Sequence, residues 1–182
     1  VTGKEQPDAG EVVIGETVDI AYVEQLRDAL DDKQTVWEAV SDGQDILNIN
    51  GYEVSSRAYV GRFNFKGNDQ QKRLDELSGG ERGRLQLAQT LKQGANVLLL
   101  DEPCANLDGR SVKDIEALLQ SAHQSGTRIV MATHDLGQAR RLATEILFLF
   151  KGRIHEAGPA PDAFDAPQTP EFKSFLNGDI LI

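Results

Sequence analysis

Cysteine, methionine and tryptophan occur once each in 182 residues. The single cysteine, Cys104, excludes an intramolecular disulfide and points to a reducing compartment. Aromatic residues make up only 6% of the chain, fewer than an all-β sandwich core needs and in keeping with an α/β protein. No apolar run approaches the length of a membrane span, and the opening VTGKEQPDAG is not a signal peptide, so the chain reads as cytoplasmic. Basic residues are also short: 19 Lys and Arg stand against 29 Asp and Glu, giving a net charge of −10. That balance argues against broad, non-specific adhesion to nucleic acid.

What is present is enough for a core. Apolar residues form 40% of the chain, and its length suits one domain or one domain with a small lobe. The charge is uneven. Arg57, Arg62, Lys66, Lys72, Arg73, Arg82 and Arg84 face only Asp69, Asp75, Glu76 and Glu81 between Ser55 and Arg84. This stretch is either a basic lobe for an acidic partner or a solvated helix face.

The N-terminal stretch predicts a turn punctuated by Gly3, Pro7 and Gly10, then short strands at Glu11–Ile14 and Val18–Val23. From Leu26 to Leu74 the pattern is helical and irregular. Thr35 with Glu38 has capping-box spacing and opens a helix through Trp37 and Val40, and Ser55 starts another carrying Tyr59, Val60 and Phe63. After Ser78 the order is regular: a helix from about Gly80 to Lys92, a strand at Val97–Leu100, a helix at Ser111–Ser125, a strand at Arg128–Ala132, a helix at Leu136–Ala143 and a strand at Glu145–Phe150. Such alternation predicts right-handed βαβ crossovers and a parallel sheet. Residues 159–182, broken by Pro159, Pro161, Pro167 and Pro170, predict one or two terminal helices.

Three stretches carry candidate chemistry. In Leu77-Ser78-Gly79-Gly80-Glu81, Ser78 and Glu81 have capping-box spacing, and the two glycines let a ligand approach the backbone of a helix N-terminus that suits a phosphate. An ordinary capped helix shows the same pattern. Val97 to Pro103 reads as a buried strand delivering Asp101 and Glu102 at its carboxyl end, where open α/β sheets place ligands. There Asp101 suits Mg²⁺ held partly through water, and Glu102 suits polarising a water for attack on a γ-phosphate. A strand ending in a solvated turn looks alike. Thr133-His134-Asp135 follows the next strand and places His134 on the same sheet edge, while Gln25 follows Val18–Val23 towards that edge. A glutamine there suits contact with Mg²⁺ and the attacking water.

In this order and spacing the residues resemble the ATP-binding cassette (ABC) family. LSGGE is similar to its signature motif, LLLDEP to its Walker B strand, NLD at Asn106–Asp108 to its D-loop, His134 to its switch histidine and Gln25 to its Q-loop glutamine. The resemblance implies ATP hydrolysis by a head-to-tail pair of cassettes. Catalytic roles fall on Glu102, His134 and Gln25, contact with the cofactor ATP on Ser78, Gly79, Gly80 and Asp108, and Mg²⁺ on Asp101 and Gln25. It implies a P-loop-type α/β core with a helical subdomain at about 26–90, a Walker B to H-switch core at about 91–158 and a helical tail at 159–182.

The family's phosphate loop, G-x-x-x-x-G-K-[ST], does not occur in these 182 residues, and Gly3-Lys4 is followed by Glu5. The expectation is an N-terminally truncated cassette. It would hydrolyse no ATP alone and would leave the strand Val97–Leu100 with an uncovered edge or face. Residues 1–103 resemble the second cassette of ribosome-associated ABC-F translation factors, through GETVDIAYVEQLRD, TVWEAVSDG, SSRAYVGRFNFKG and LDELSGGERGRLQLAQ. Beyond Pro103, CANLD and ATHDLGQARRLATEILFLFKGRIHEAGPA with APQTPEFKSFL are similar to importer ATPases for tungstate-like oxyanions, placing a junction near Asp101–Asn106. The first likeness implies ribosome, rRNA and tRNA as partners; the second implies a membrane permease. A non-catalytic fragment that only folds or pairs is the third reading.

Overall fold

A computed structural model describes residues 7–23, 32–49 and 51–179. The chain divides into two compact units, residues 1–132 and 133–182. The seam lies well beyond the 101–106 region, so α4 and β5, defined below, belong to the same unit as the acidic strand.

The first unit runs β1 (Ile20–Val23), α1 (Val36–Ser41), β2 (Ile46–Ile49), β3 (Tyr52–Ser55), α2 (Ser56–Arg62), α3 (Gly79–Lys92), β4 (Val97–Asp101), α4 (Gly109–Gln124) and β5 (Arg128–Ala132). Its sheet is parallel in the order β1-β4-β5. Ala21 lies beside Leu98 and Leu98 beside Ile129, and on that face Ala21, Leu98 and Leu100 are buried. α3 packs on β1 and α4 on β5. The register also aligns Tyr22, Leu99 and Val130, yet on their face Tyr22 is 39% and Val130 54% exposed. β4 is apolar on both faces, as a strand covered on two sides should be. Among the described residues β1 and β5 are the edge strands and β4 is paired on both edges, with Val97 and Leu99 half-buried where Leu98 and Leu100 are buried.

The lobe between β1 and β4 is less helical than the sequence pattern predicted. An antiparallel hairpin, β2–β3, pairs Leu47 with Val54 and Ile49 with Tyr52 within the stretch read as helical. Its signal was the Asn50-Gly51 dipeptide between two alternating stretches, with Gly51 taking the positive φ of 84° that such a turn requires. Elsewhere the local signals hold. Thr35 and Glu38 form their capping box, and Ser55 is the N-cap of α2. Val36, Val40, Val60, Phe65, Leu74 and Leu85 are completely buried, and α1 packs on α2 and α3. Tyr59 donates its hydroxyl to Ala88 O at 2.8 Å, and burial pushes that phenol's pKa up. The expected strand Glu11–Ile14 does not form. That stretch is irregular with Val12, Val13 and Ile14 exposed, and Val18 N–H turns back to Gly15 O, so β1 starts only at Ile20.

Four of the seven bases in the stretch pair with carboxylates. Lys72 pairs with Asp69 and Glu81, Arg73 with Asp75, and Arg82 with Asp32. Arg84 is nearly buried, donating to Phe63 O and to Asp114 of α4 and lying over the Phe65 ring. Arg57 stacks on Trp37 and reaches Gln70. A solvated, internally paired face describes the stretch better than an open basic patch.

The second unit contains α5 (Leu136–Leu142), the antiparallel hairpin β6 (Glu145–Phe150) with β7 (Arg153–Pro159), α6 (Ala160–Asp165) and α7 (Pro170–Asn177). β7 is a further strand that the sequence pattern missed; Lys151-Gly152, both at positive φ, make its turn. Phe148, Ala160, Ala163, Phe164 and Phe172 form the core, with the Phe148 and Phe172 rings 4.8 Å apart. The Glu156 carboxylate accepts bonds from Gln168 N–H, Thr169 N–H and the Thr169 hydroxyl, fixing the chain just ahead of α7. No helix among the described residues is long and apolar enough to cross a membrane.

Candidate nucleotide site

The start of α3 has the chemistry of an anion site. Ser78 is its N-cap; Ser78 Oγ accepts from Glu81 N–H at 3.3 Å, and Glu81 Oε2 accepts from Ser78 N–H at 2.9 Å. Because Ser78 Oγ accepts in that bond, its proton is left to donate outward, and the residue is exposed. The first intrahelical bond is made by Arg82 N–H to Ser78 O, so the N–H groups of Gly79 and Gly80 precede it. The helix dipole adds partial positive charge at this end.

Lys72 completes this helix start. Its ammonium lies 2.9 Å from Glu81 Oε1 and 3.1 Å from Asp69 Oδ1. The hydrogen bond to Glu81 is the main reason its own pKa is raised. For Glu81 partial burial pushes upward, but the bonds from Lys72 and Ser78 outweigh it and the carboxyl is held below its ordinary range. The Lys72 backbone is anchored too: its carbonyl accepts from Val36 N–H, and Leu74 N–H donates to Gln34 O.

At the end of β4, Asp101 is exposed and Glu102 half-buried. Glu102 takes a left-handed φ of 45°, which a residue with a side chain adopts only against steric resistance. Its N–H donates to Ala132 O at 3.0 Å, and its carbonyl accepts from Ala105 N–H, so the strand ends in a turn held to β5. Asn106 takes the second left-handed conformation of this loop, with φ 61°, a geometry asparagine tolerates.

The loop then caps α4. Asp108 accepts from Arg110 N–H, Ser111 N–H and the Ser111 hydroxyl at 2.9, 3.1 and 2.7 Å. The Ser111 hydroxyl, then its N–H, hold the Asp108 pKa down. The starts of α3 and α4 press together. A methyl group on Gly80 would land on the Ser111 side chain, one on Gly79 would touch Leu107 at 3.5 Å, and one on Gly83 would meet Ile115 at 3.1 Å. Gly80 therefore has a packing reason as well as a ligand reason, and the LSGGE and NLD stretches meet in one unit.

Gln25 lies outside the described residues. His134 opens the second unit, just before α5, whose N-cap is Asp135. Among the described residues no group of three or more His, Cys, Asp and Glu side chains could hold a metal ion by itself. One exposed carboxylate at a strand end fits Mg²⁺ that keeps waters and leans on phosphate oxygens, and does not fit a protein-only cage. Lys72 and Ser111, which bond to Glu81 and Asp108 at the starts of α3 and α4, were not singled out by motif reading. The signal for Lys72 lay in its charge, six residues ahead of the signature serine; nothing in the sequence marked Ser111.

The ABC transporter family model matches residues 1–105. This chain belongs to the ABC transporter family. The cassette is 57% identical over 148 residues to the energy-dependent translational throttle protein EttA of Haemophilus influenzae, a match covering 81% of the chain and 26% of that protein. Against EttA of Escherichia coli the identity is 53% over the same shares. The chain thus spans about a quarter of the length of these relatives. It is also 33% identical over 149 residues to the histidine/lysine/arginine/ornithine transport ATP-binding protein HisP of Escherichia coli, covering 80% of the chain and 58% of HisP. Both likenesses run over about four fifths of the cassette. Among solved structures, a dimeric ATP-binding cassette in a post-hydrolysis state bound to ADP and Pi superposes with a TM-score of 0.60 at 23% identity, covering 79% of this chain and 63% of that one. That likeness speaks to the fold.

Proposed function

We propose that this cassette segment works in ATP hydrolysis within a translation factor of the ABC-F lineage, as one side of a head-to-tail cassette pair. The observation that carries the reading is the pairing of an outward-donating Ser78 at a capped helix start with Asp101–Glu102 at the end of a parallel strand, on a chain 57% identical to a translational throttle protein.

Glu102 is the general base that polarises the attacking water, and the cassette motifs assign Gln25 and His134 to that water and the γ-phosphate. Asp101 holds Mg²⁺ through water, an ion that supplies charge neutralisation on the phosphates. Ser78 Oγ–H and the Gly79 and Gly80 N–H groups grip the γ-phosphate carried by the facing cassette. Asp108, engaged in capping α4, sets the course of the loop between the two motifs. Catalysis on this scheme is positioning and electrostatics.

The 182 residues carry no phosphate loop, so we also propose that they turn over no ATP alone. A phosphate-release assay on the chain and on Glu102→Gln tests this, with equal background rates expected. Release abolished by the substitution overturns it. HisP keeps a second reading open, an importer ATPase that docks on a permease. Co-sedimentation of the chain with ribosomes supports the first reading; binding to detergent-solubilised permease, with none to ribosomes, supports the second.

A further inference from the structure

The start of α3 contains an electrostatic conflict. Its capping box uses the Glu81 carboxylate, which takes Ser78 N–H at 2.9 Å. The same helix start, on the reading above, must receive a phosphate carrying several negative charges. A carboxylate in the first turn stabilises a helix but opposes an incoming anion. Asp69 adds a second negative charge nearby.

We propose that Lys72 is a positioning residue for phosphate at Ser78, neutralising Glu81 so that one carboxylate can cap α3 without repelling the ligand. This inference rests on the signature-motif reading of Ser78. The geometry suits the task. Glu81 divides its oxygens, Oε2 to the Ser78 backbone and Oε1 to Lys72 at 2.9 Å, so cap and counter-ion act together. The Lys72 ammonium bridges Asp69 and Glu81, and its backbone is tied to the start of α1 through Val36 N–H. Removing the ammonium leaves two uncompensated carboxylates beside the phosphate site. Arg82, whose guanidinium is 3.8 Å from Asp32, is committed elsewhere. The cap itself needs an acceptor at position 81, not a charge, so glutamine can replace glutamate there.

Those two facts give a double-substitution test on the intact chain. The probe is inorganic tripolyphosphate, titrated while the backbone amide resonances of Ser78, Gly79 and Gly80 are followed by NMR. The wild-type chain is expected to show saturable shifts at these amides. Lys72→Met should weaken binding about two- to fivefold, Lys72→Arg should restore it, and Lys72→Met combined with Glu81→Gln should return it to near the wild-type value. In parallel, the Glu81 carboxyl is expected to titrate higher in Lys72→Met, a readout that bears on the pair alone. Equal binding in wild type and Lys72→Met overturns the inference and leaves the signature reading standing. So does weakened binding that Glu81→Gln fails to rescue, since the lysine would then act other than through Glu81. If tripolyphosphate moves no amide at the start of α3 in any variant, the phosphate role of Ser78 falls and this inference falls with it.

Discussion

Gly80 and Glu102 show how single positions serve both fold and site. At Gly80 the missing Cβ is what allows α3 and α4 to start against each other, over Ser111. Gly80→Ala is expected to destabilise the chain by about 1–3 kcal/mol through overpacking. Ser111→Gly in the same chain should recover part of that loss by removing the obstructing side chain. Thermal or urea melts of the two single and the double substitution check this; strictly additive losses contradict the contact. Glu102 illustrates the other direction. Its left-handed φ is invisible in the sequence, where Asp101-Glu102-Pro103 reads only as an acidic strand end. The strained turn, held to β5 by Glu102 N–H, gives the proposed general base a fixed backbone from which to act. Ser78 was legible because a capping box is a local pattern of two residues. Lys72 and Ser111 were not, since each acts through a partner nine or more residues away or on another helix.

Element by element, helix starts were the most legible features, and carboxylates govern several of them. Glu38 is held below its ordinary range by the Thr35 N–H, then its hydroxyl. Asp108 is held down by Ser111. In Glu81 and Glu156 burial pushes upward, but Lys72 and Ser78 in the first case, and the Gln168 and Thr169 groups in the second, win. Each folded-state pKa therefore lies below that of the unfolded chain. Each carboxylate lends stability above the unfolded range, near pH 4, and loses it as pH falls through the depressed folded value. Melting temperature is thus expected to be flat from pH 7 to about 5.5 and to drop steeply below the ordinary carboxylate range. A helix-monitored melt that is as stable at pH 3 as at pH 7 contradicts this. The hairpin β2–β3 was lost in the sequence reading because its Leu47 and Val54 alternate over only four residues per strand, between helices that set the expected period. The strand expected at Glu11–Ile14 had the right residues but no partner strand among the described ones, and β propensity without pairing makes no strand.

On the scale of the whole molecule, the α/β class and the parallel pairing of β4 with β5 followed from the alternation after Ser78, whereas β6, expected to continue that pattern, pairs antiparallel with β7. The division of the chain did not follow from it. The compact units part after Ala132, because β4, α4 and β5 form one βαβ unit that cannot be split without exposing its core. The exposed Tyr22 and Val130 on one sheet face, and Leu147, Leu149 and Ile154 in the second unit, are where apolar patterning outruns the cover available among the described residues. The central claim is that these residues form the hydrolytic part of an ABC cassette once a phosphate loop is supplied. The direct measurement is phosphate release by Haemophilus influenzae EttA in which this chain replaces the stretch it aligns with, compared with the same hybrid carrying Glu102→Gln. The hybrid is expected to hydrolyse ATP, and the substituted hybrid to lose about 100-fold or more of that rate while still binding ATP and melting at the same temperature. Equal turnover in the two, with both folded and loaded, contradicts the account.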